Sequence, residues 1–385
     1  MRTIPLYDEN AYAREFKARV ISCQESISEG VAYYEIVLGE TLFFPEQGGQ
    51  TSDRGRLNDV EVFDVQIKDQ VIYHYCREPI APGTLVKGLI DWDHRFNNMQ
   101  QHTGEHIFTG LAHNRYGAEN VGFHLSDNTV TLDLDIELTE EQVAGLELEA
   151  NRVIAENLPI YCFYPEEDVL EITDYRSKKE IEGPVRLVKI GDVDICACCA
   201  PHVKTTSEVG ILKVLSAGKY KGGMRIYILC GLRALEDYRI KQNLLKTTYQ
   251  TLNCSQEELA QKAAGILEEN RQLRYEIGQI KEKALFERID GISSELEDVT
   301  IFASDLDSKA MREGVNRLVE VHKGLCSIFS GDDENGYSFV MGSKSRDCKA
   351  IASGLRELLS ARCGGSKQMI SGSVTATETQ IRNTI

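Results

Sequence analysis

No run in this 385-residue chain is apolar enough, for long enough, to cross a bilayer. Its first residues, MRTIPLYDENAYAREF, lack the hydrophobic region of a signal peptide. No internal repeat and no low-complexity tract is visible. These absences argue against a membrane or secreted protein, and the expected location is the cytoplasm. A reducing compartment then excludes disulfides as the reason for the eleven cysteines. They read as small buried hydrophobes, with a few metal ligands among them. Positive charge is also scarce: 43 Lys and Arg face 60 Asp and Glu, for a formal charge of -17. A field of that sign repels phosphates, so nucleic acid would have to use local basic patches. Two are present. One holds Lys213, Lys219, Lys221 and Arg225; the other holds Lys344, Arg346, Lys349, Arg356, Arg362 and Lys367. Each reads equally well as a solvated face.

The length suits two or three domains. A hydrophobic content of 42% and a charged content of 27% describe an ordinary globular protein. Residues 1–90 are mostly β: VAYYEIVL, VEVFDVQI and QVIYHYC are β-branched and aromatic, and FPEQGGQTSDRG and REPIAPGT punctuate them. A small antiparallel barrel or sandwich fits. Phe96, Met99, His102, His106, Ile107 and Leu111 then recur at helical spacing, and Gly117 ends that helix. NTVTLDLDI alternates as a strand. Thr139 and Gln142 form a capping box that starts a helix running to about Glu156. PIYCFY, VRLVKI and EVGILKVLSAGKYKGGMRIYILCG add strands, so 91–230 reads as α+β. From 231 to 290 the chain is helical, with Ser255 and Glu258 as a second capping box. Leu259, Ile266, Leu273 and Ile280 fall seven apart, with Ala263, Asn270, Ile277 and Ala284 four after each. This is a coiled-coil seam with one polar position, Asn270. An antiparallel hairpin and a homodimer through this segment are alternatives that the pattern leaves open. Residues 291–385 alternate strands and helices in a βαβα-like order, ending in a Gly/Ser/Thr-rich loop and a last helix.

Chemistry concentrates in three places. His102-Thr103-Gly104-Glu105-His106 sets two imidazoles at i and i+4, on one helical face. Cys198-Cys199-Ala200-Pro201-His202 sets a thiol and an imidazole four apart, with Pro201 stiffening the turn. Together they offer a His, His, Cys, His set that suits Zn2+. Cys196 and Cys199 are alternative thiol ligands, and a pair of ordinary buried histidines is the alternative to ligation. The third place is Thr41 to Gly55, TLFFPEQGGQTSDRG. Gly48-Gly49 permits close backbone approach, and Thr41, Gln50 and Ser52 offer hydroxyls and an amide to a small polar group. A plain hairpin loop is the alternative.

TLFFPEQGGQTSDRG, HTGEH and the Cys-x3-His of CCAPHV, in that order, resemble the alanyl-tRNA editing proteins, free-standing relatives of the alanyl-tRNA synthetase editing domain. GMRIYILCGLRALEDY resembles the entry into the helical segment of that synthetase. CGGSKQMISGS resembles, in altered form, the glycine-rich signature of its C-terminal domain. Cys199-Ala200 stand where the family has a glycine pair. The resemblance covers most of the chain, and no aminoacylation motif is evident, so it implies a trans-acting editor. It implies an α+β fold in four parts: an N-terminal β-barrel (1–90), a zinc-binding editing domain (91–230), a helical hairpin or coiled coil (231–290) and a C-terminal α/β domain resembling a tRNA-binding one (291–385).

By the same resemblance the substrate is misacylated tRNA(Ala), carrying serine or glycine, and the reaction is ester hydrolysis. His102, His106, Cys198 and His202 would hold Zn2+, as a catalytic or a structural ion. Thr41 would read the serine hydroxyl with Gln50 in support. Glu105 is a candidate to orient or deprotonate water, or else a partner of a ligand histidine. Two other functions remain in view. HTGEH also fits the His-x-x-Glu-His pattern of an inverzincin-type metallopeptidase, with Glu180 or Glu182 as a further ligand. A non-catalytic tRNA-binding protein is the other.

Overall fold

Apolar residues that alternate with polar ones need a sheet closed on its apolar face. Val71–Cys76 alternates strictly between half-buried and buried positions, and Leu85–Ile90 between exposed and buried ones. With Glu15–Ser28, Val31–Leu38, Val60–Lys68 and Gly55–Leu57 they close into a six-stranded barrel. The long first strand pairs with Val31–Leu38 through its C-terminal part and with Leu85–Ile90 through its N-terminal part, which completes the ring. Phe16, Val20, Ile36, Leu38, Phe43, Phe44, Val65 and Ile72 fill the interior. At Gly88 a Cβ would fall 2.0 Å from the Phe16 ring, so only glycine leaves room for that phenyl group.

The computed structural model describes residues 2–28, 30–177 and 183–385. They form two compact units, Met1–Leu244 and Leu245–Ile385. In the first unit the barrel is followed by a 25-residue helix, Trp92–Tyr116. Asp91 caps its N-terminus by accepting from the His94 N–H, and Gly117 ends it in the left-handed conformation at φ 65°. A four-stranded antiparallel sheet packs beside it in the order Leu212–Tyr220, Gly223–Cys230, Val130–Leu134, Asn120–Leu125. A second sheet joins Ile160–Phe163, Leu187–Ile190 and Asp194–Ala197. The helix Glu140–Ala155 starts at the expected Thr139/Gln142 capping box, with both reciprocal bonds formed. One strand, Asn120–Leu125, has no counterpart in the sequence reading: its burial does not alternate cleanly and Gly122 interrupts it.

The second unit is a five-stranded sheet ordered Val299–Ala303, Cys326–Asp332, Gly336–Gly342, Met369–Val374, Arg362–Gly365. The first pair is parallel and the rest are antiparallel. Helix Ser308–Val321 and the end of helix Leu259–Asp290 share a core with Val299, Ile301 and Val340; a separate core brings Phe339 and Ile370 together with Cys348, Ala352 and Leu355 of helix Cys348–Leu359. The stretch expected as a terminal loop is instead a hairpin, because Cys363 and Gly364 pair with Gly372 and Ser371. The expected last helix follows as Glu378–Arg382. The α+β class holds. The coiled-coil seam of Leu259–Asp290 stays exposed: Ile266 is 39%, Leu273 and Ile277 49%, and Ile280 68% accessible. Among the described residues, no helix is long and apolar enough to cross a membrane.

Candidate metal centre

Helix Trp92–Tyr116 is buried continuously from Asn98 to Ala112, although most of that stretch is polar. Each polar side chain in it meets a hydrogen-bond partner. Gln101 donates to the Cys230 carbonyl at 2.8 Å and accepts from the Cys230 N–H at 2.7 Å, which fastens the helix to the end of a strand. Gln100 donates to the Glu208 carbonyl at 2.8 Å. Arg95 and Asp53 form a doubly hydrogen-bonded ion pair, both fully buried, between the helix and the barrel. Gly104 and Gly110 let the helix approach its neighbours. A Cβ at Gly104 would lie 2.2 Å from Cys230 Sγ, and one at Gly110 2.6 Å from the Val193 carbonyl.

This docking turns His102 and His106 toward the turn after strand Asp194–Ala197. There the ligating atoms of His102, His106, Cys198 and His202 all lie within 4.8 Å of one another. His102 Nε2 and His202 Nε2 are 3.5 and 3.4 Å from Cys198 Sγ. A tetrahedral ion bonded to sulfur at about 2.3 Å and to nitrogen at about 2.0 Å has S···N edges of about 3.5 Å, so the donor set and its spacing fit Zn2+. Each imidazole is also held from behind. His102 Nδ1–H donates to Gln50 Oε1 at 2.8 Å, and His106 Nδ1–H donates to Asp194 Oδ2 at 2.8 Å. His202 Nδ1 pairs with the Thr103 hydroxyl at 2.9 Å. With Nδ1 protonated, Nε2 presents its lone pair to the centre.

Loop geometry delivers Gln50. Gly48 and Gly49 both take positive φ, 64° and 84°, and a Cβ on Gly49 would fall 2.4 Å from the Phe123 carbonyl. The Leu125 N–H donates to the Gly49 carbonyl at 2.7 Å, and the Thr51 N–H donates to the Leu125 carbonyl at 3.1 Å. The glycine pair therefore clamps the loop to strand Asn120–Leu125, whose Phe123 ring lies 4.6 Å from that of His102. Arg186 holds the turn of Cys198 by donating to the carbonyls of Cys198 and Ala200, both at 2.9 Å.

Two family models match the chain: "tRNA synthetases class II (A)" over residues 4–94 and "Threonyl and Alanyl tRNA synthetase second additional domain" over residues 185–227. The chain is similar to the alanyl-tRNA editing protein Aarsd1 of Rattus norvegicus, with 28% identity over 96% of this chain and 94% of the relative. It is 33% identical to the alanyl-tRNA editing protein AlaX-L of Pyrococcus horikoshii over 73% of this chain and 72% of the relative. The chain belongs to the alanyl-tRNA editing protein family. The alanine–tRNA ligase of Pyrococcus furiosus is 28% identical over 89% of this chain, which spans only 38% of that ligase.

The other expected site residues of this editing protein lie in different surroundings. Thr41 is fully buried in the barrel, where its hydroxyl pairs with His74 Nε2 at 2.8 Å and accepts from the Phe43 N–H at 3.1 Å. His74 Nδ1–H donates to the Ile36 carbonyl at 3.0 Å, and burial pushes the His74 pKa down to about 4. The ring is thus neutral, and the Thr41 hydroxyl donates to it. Glu105 is buried; one carboxylate oxygen accepts from Asn120 and from the Thr109 hydroxyl, and the other lies 3.9 Å from His106 Nε2. Ser52 bonds Asp64 at 2.7 Å. Of the alternative thiols, Cys196 groups with Asp194 and His106, while Cys199 packs with Ala200 against the barrel core, where burial pushes its pKa up to about 12. The pair that replaces two glycines is thus absorbed as packing. Glu180 and Glu182 lie outside the described residues.

Sequence reasoning missed Thr103, Asp194, Arg176 and Arg186. For Asp194 a signal existed: Asp194, Cys196 and Cys198 alternate, so strand geometry places Asp194 and Cys196 on one face. The basic patches proved largely self-compensated. Lys213, Lys219 and Arg225 pair with Glu147, Glu137 and Asp133, and Lys344, Arg346 and Lys367 pair with Glu320, Asp298 and Asp347.

Proposed function

We propose that this editing protein hydrolyses the ester of Ser-tRNA(Ala), and of Gly-tRNA(Ala), at a centre where His102, His106, Cys198 and His202 hold Zn2+. The observation that carries this reading is the convergence of one nitrogen from each of three imidazoles and one thiol within 4.8 Å, each ring tied through Nδ1. When bound, Zn2+ supplies Lewis-acid polarisation of an oxygen or amine and organises the pocket. Glu105, anchored by Asn120 and Thr109 beside His106, is the carboxylate that orients or deprotonates the attacking water.

Selectivity needs polar groups that alanine leaves unpaired. Gln50 spends Oε1 on His102, and its buried Nε2 has no hydrogen-bond partner among the described residues, so it is the donor left for a substrate oxygen. Thr41 reads the serine hydroxyl through its one remaining lone pair, because its proton goes to His74 and its other lone pair accepts from the Phe43 N–H. The C-terminal unit contacts the tRNA through Lys349, Arg362 and the neighbouring pairs, which makes its affinity salt-dependent. The exposed seam of Leu259–Asp290 pairs with a second copy of the chain. In a parallel register Asn270 meets Asn270, and Glu269 and Glu276 of one copy face Arg274 and Lys281 of the other.

The test is deacylation of purified Ser-tRNA(Ala), Gly-tRNA(Ala) and Ala-tRNA(Ala) by protein of measured zinc content. Fast release of serine with alanine spared is the expected result, and Cys198→Ala should lose both the metal and the activity. A folded, zinc-loaded sample that releases neither serine nor glycine overturns the reading. Zinc retained by Cys198→Ala would instead favour a peptidase-like centre.

A further inference from the structure

The three histidines of the centre differ in what stands behind them. Behind His102 and His202 are neutral groups, the Gln50 amide and the Thr103 hydroxyl. Behind His106 is a carboxylate, Asp194, whose side chain is 1% exposed. Its second oxygen accepts from Arg176 Nε at 2.8 Å, and Arg176 also donates to the Thr109 hydroxyl at 2.9 Å. Thr109 in turn donates toward Glu105. The backbone fixes this carboxylate as well, since the space beside Gly110 is filled by the Val193 carbonyl and by Asp194 Cβ.

A carboxylate buried this deeply is costly unless it is paired. Arg176 supplies the pair, so Asp194 keeps its negative charge directed at one imidazole with a cation beside it. A hydrogen bond to an ionised acceptor is roughly twice as strong as one between neutral groups. It also fixes the ring's tautomer and makes the opposite nitrogen a better electron donor.

We propose that Asp194 is the positioning residue of the centre: acting through His106, and held in turn by Arg176, it sets the affinity for a divalent metal ion. The proposal rests on the metal reading given above. Asp194 touches neither the ion nor the substrate, and its effect is confined to the Nε2 lone pair of His106.

The experiment uses the full chain, titrated with Zn2+ against a competing chromophoric chelator and, separately, with Co2+ to read its d–d absorption. Asp194→Asn should bind Zn2+ about 10–100-fold more weakly than the unaltered protein and shift the Co2+ bands. Arg176→Gln should show a smaller loss of the same kind. In a His106→Ala background, Asp194→Asn should cause no further loss, a non-additivity that general destabilisation would not produce. Asp133→Asn, which breaks the Asp133–Arg225 pair on the neighbouring sheet, should leave Zn2+ affinity unchanged. Wild-type affinity and an unaltered Co2+ spectrum in Asp194→Asn overturn the proposal, as does a loss that simply adds to that of His106→Ala. If Asp194→Asn does not fold, wild-type affinity in Arg176→Gln has the same force. Failure of the metal reading looks different: the unaltered chain then takes up neither ion, or takes them up equally well after Cys198→Ala.

Discussion

At the scale of residues, two buried contacts carry consequences that can be read in solution. His74 has a folded-state pKa of about 4, because burial disfavours its charged form. Its unfolded value is about 6.5. Between these values the unfolded chain binds the proton and the folded one does not. The contribution is complete above about pH 6.5 and is lost as the pH falls toward 4, for a total of about 3 kcal/mol. His74→Gln should therefore flatten the fall in urea midpoint between pH 7 and pH 5; an unchanged slope would remove His74 as its cause. The second contact is Gly104. A helical glycine replaced by alanine usually gains about 1 kcal/mol, but here the new methyl meets Cys230 Sγ. Gly104→Ala should instead cost about 1–3 kcal/mol, and Cys230→Ala should restore most of it. Gly110→Ala has no such rescue, because part of its clash is with a backbone carbonyl.

At the scale of elements, helix Leu259–Asp290 shows how far a repeat can be read. Its heptads were visible in the sequence, yet the seam remains uncovered, while a different face of its C-terminal end sends Leu285 and Ile289 into the core of the second unit. Apolar a and d positions left in water favour association. Leu273→Asp should therefore convert a dimer to a monomer in sedimentation equilibrium, while Asn270→Ile should tighten association and relax its register. A wild-type chain that sediments as a monomer at high micromolar concentration rules the pairing out. The site helix gives the opposite lesson. Its polar stretch, Gln100 to Glu105, offered no apolar stripe, but the helix is buried because each polar side chain makes at least one hydrogen bond to another element.

At the scale of the whole molecule, the two units each hold their own apolar cores: the barrel and site-helix clusters in Met1–Leu244 and the two sheet faces in Leu245–Ile385. All four candidate ligands and their outer partners belong to the first unit. A chain ending at Leu244 should fold cooperatively and keep wild-type Zn2+ affinity, while losing most of its affinity for tRNA. Calorimetry and metal titration of that fragment check the first two outcomes, and filter binding checks the third. Loss of zinc on truncation would show that the centre depends on the second unit.

The sequence by itself determined the local features: the barrel strands through their alternation, the Thr139 capping box, the end of the site helix at Gly117, and the i, i+4 spacing that sets His102 and His106 on one helical face. Those signals depend on neighbours a few residues apart. Only the tertiary structure decided which thiol joins the histidines, since Cys196, Cys198 and Cys199 are nearly equivalent in sequence, and strand alternation and the following turn point them in different directions. It likewise decided that Gln50 stands behind His102, Thr103 behind His202 and Asp194 behind His106, pairings separated by 52, 99 and 88 residues. Such contacts join different elements, and their energy depends on burial and direction, which no local spacing encodes.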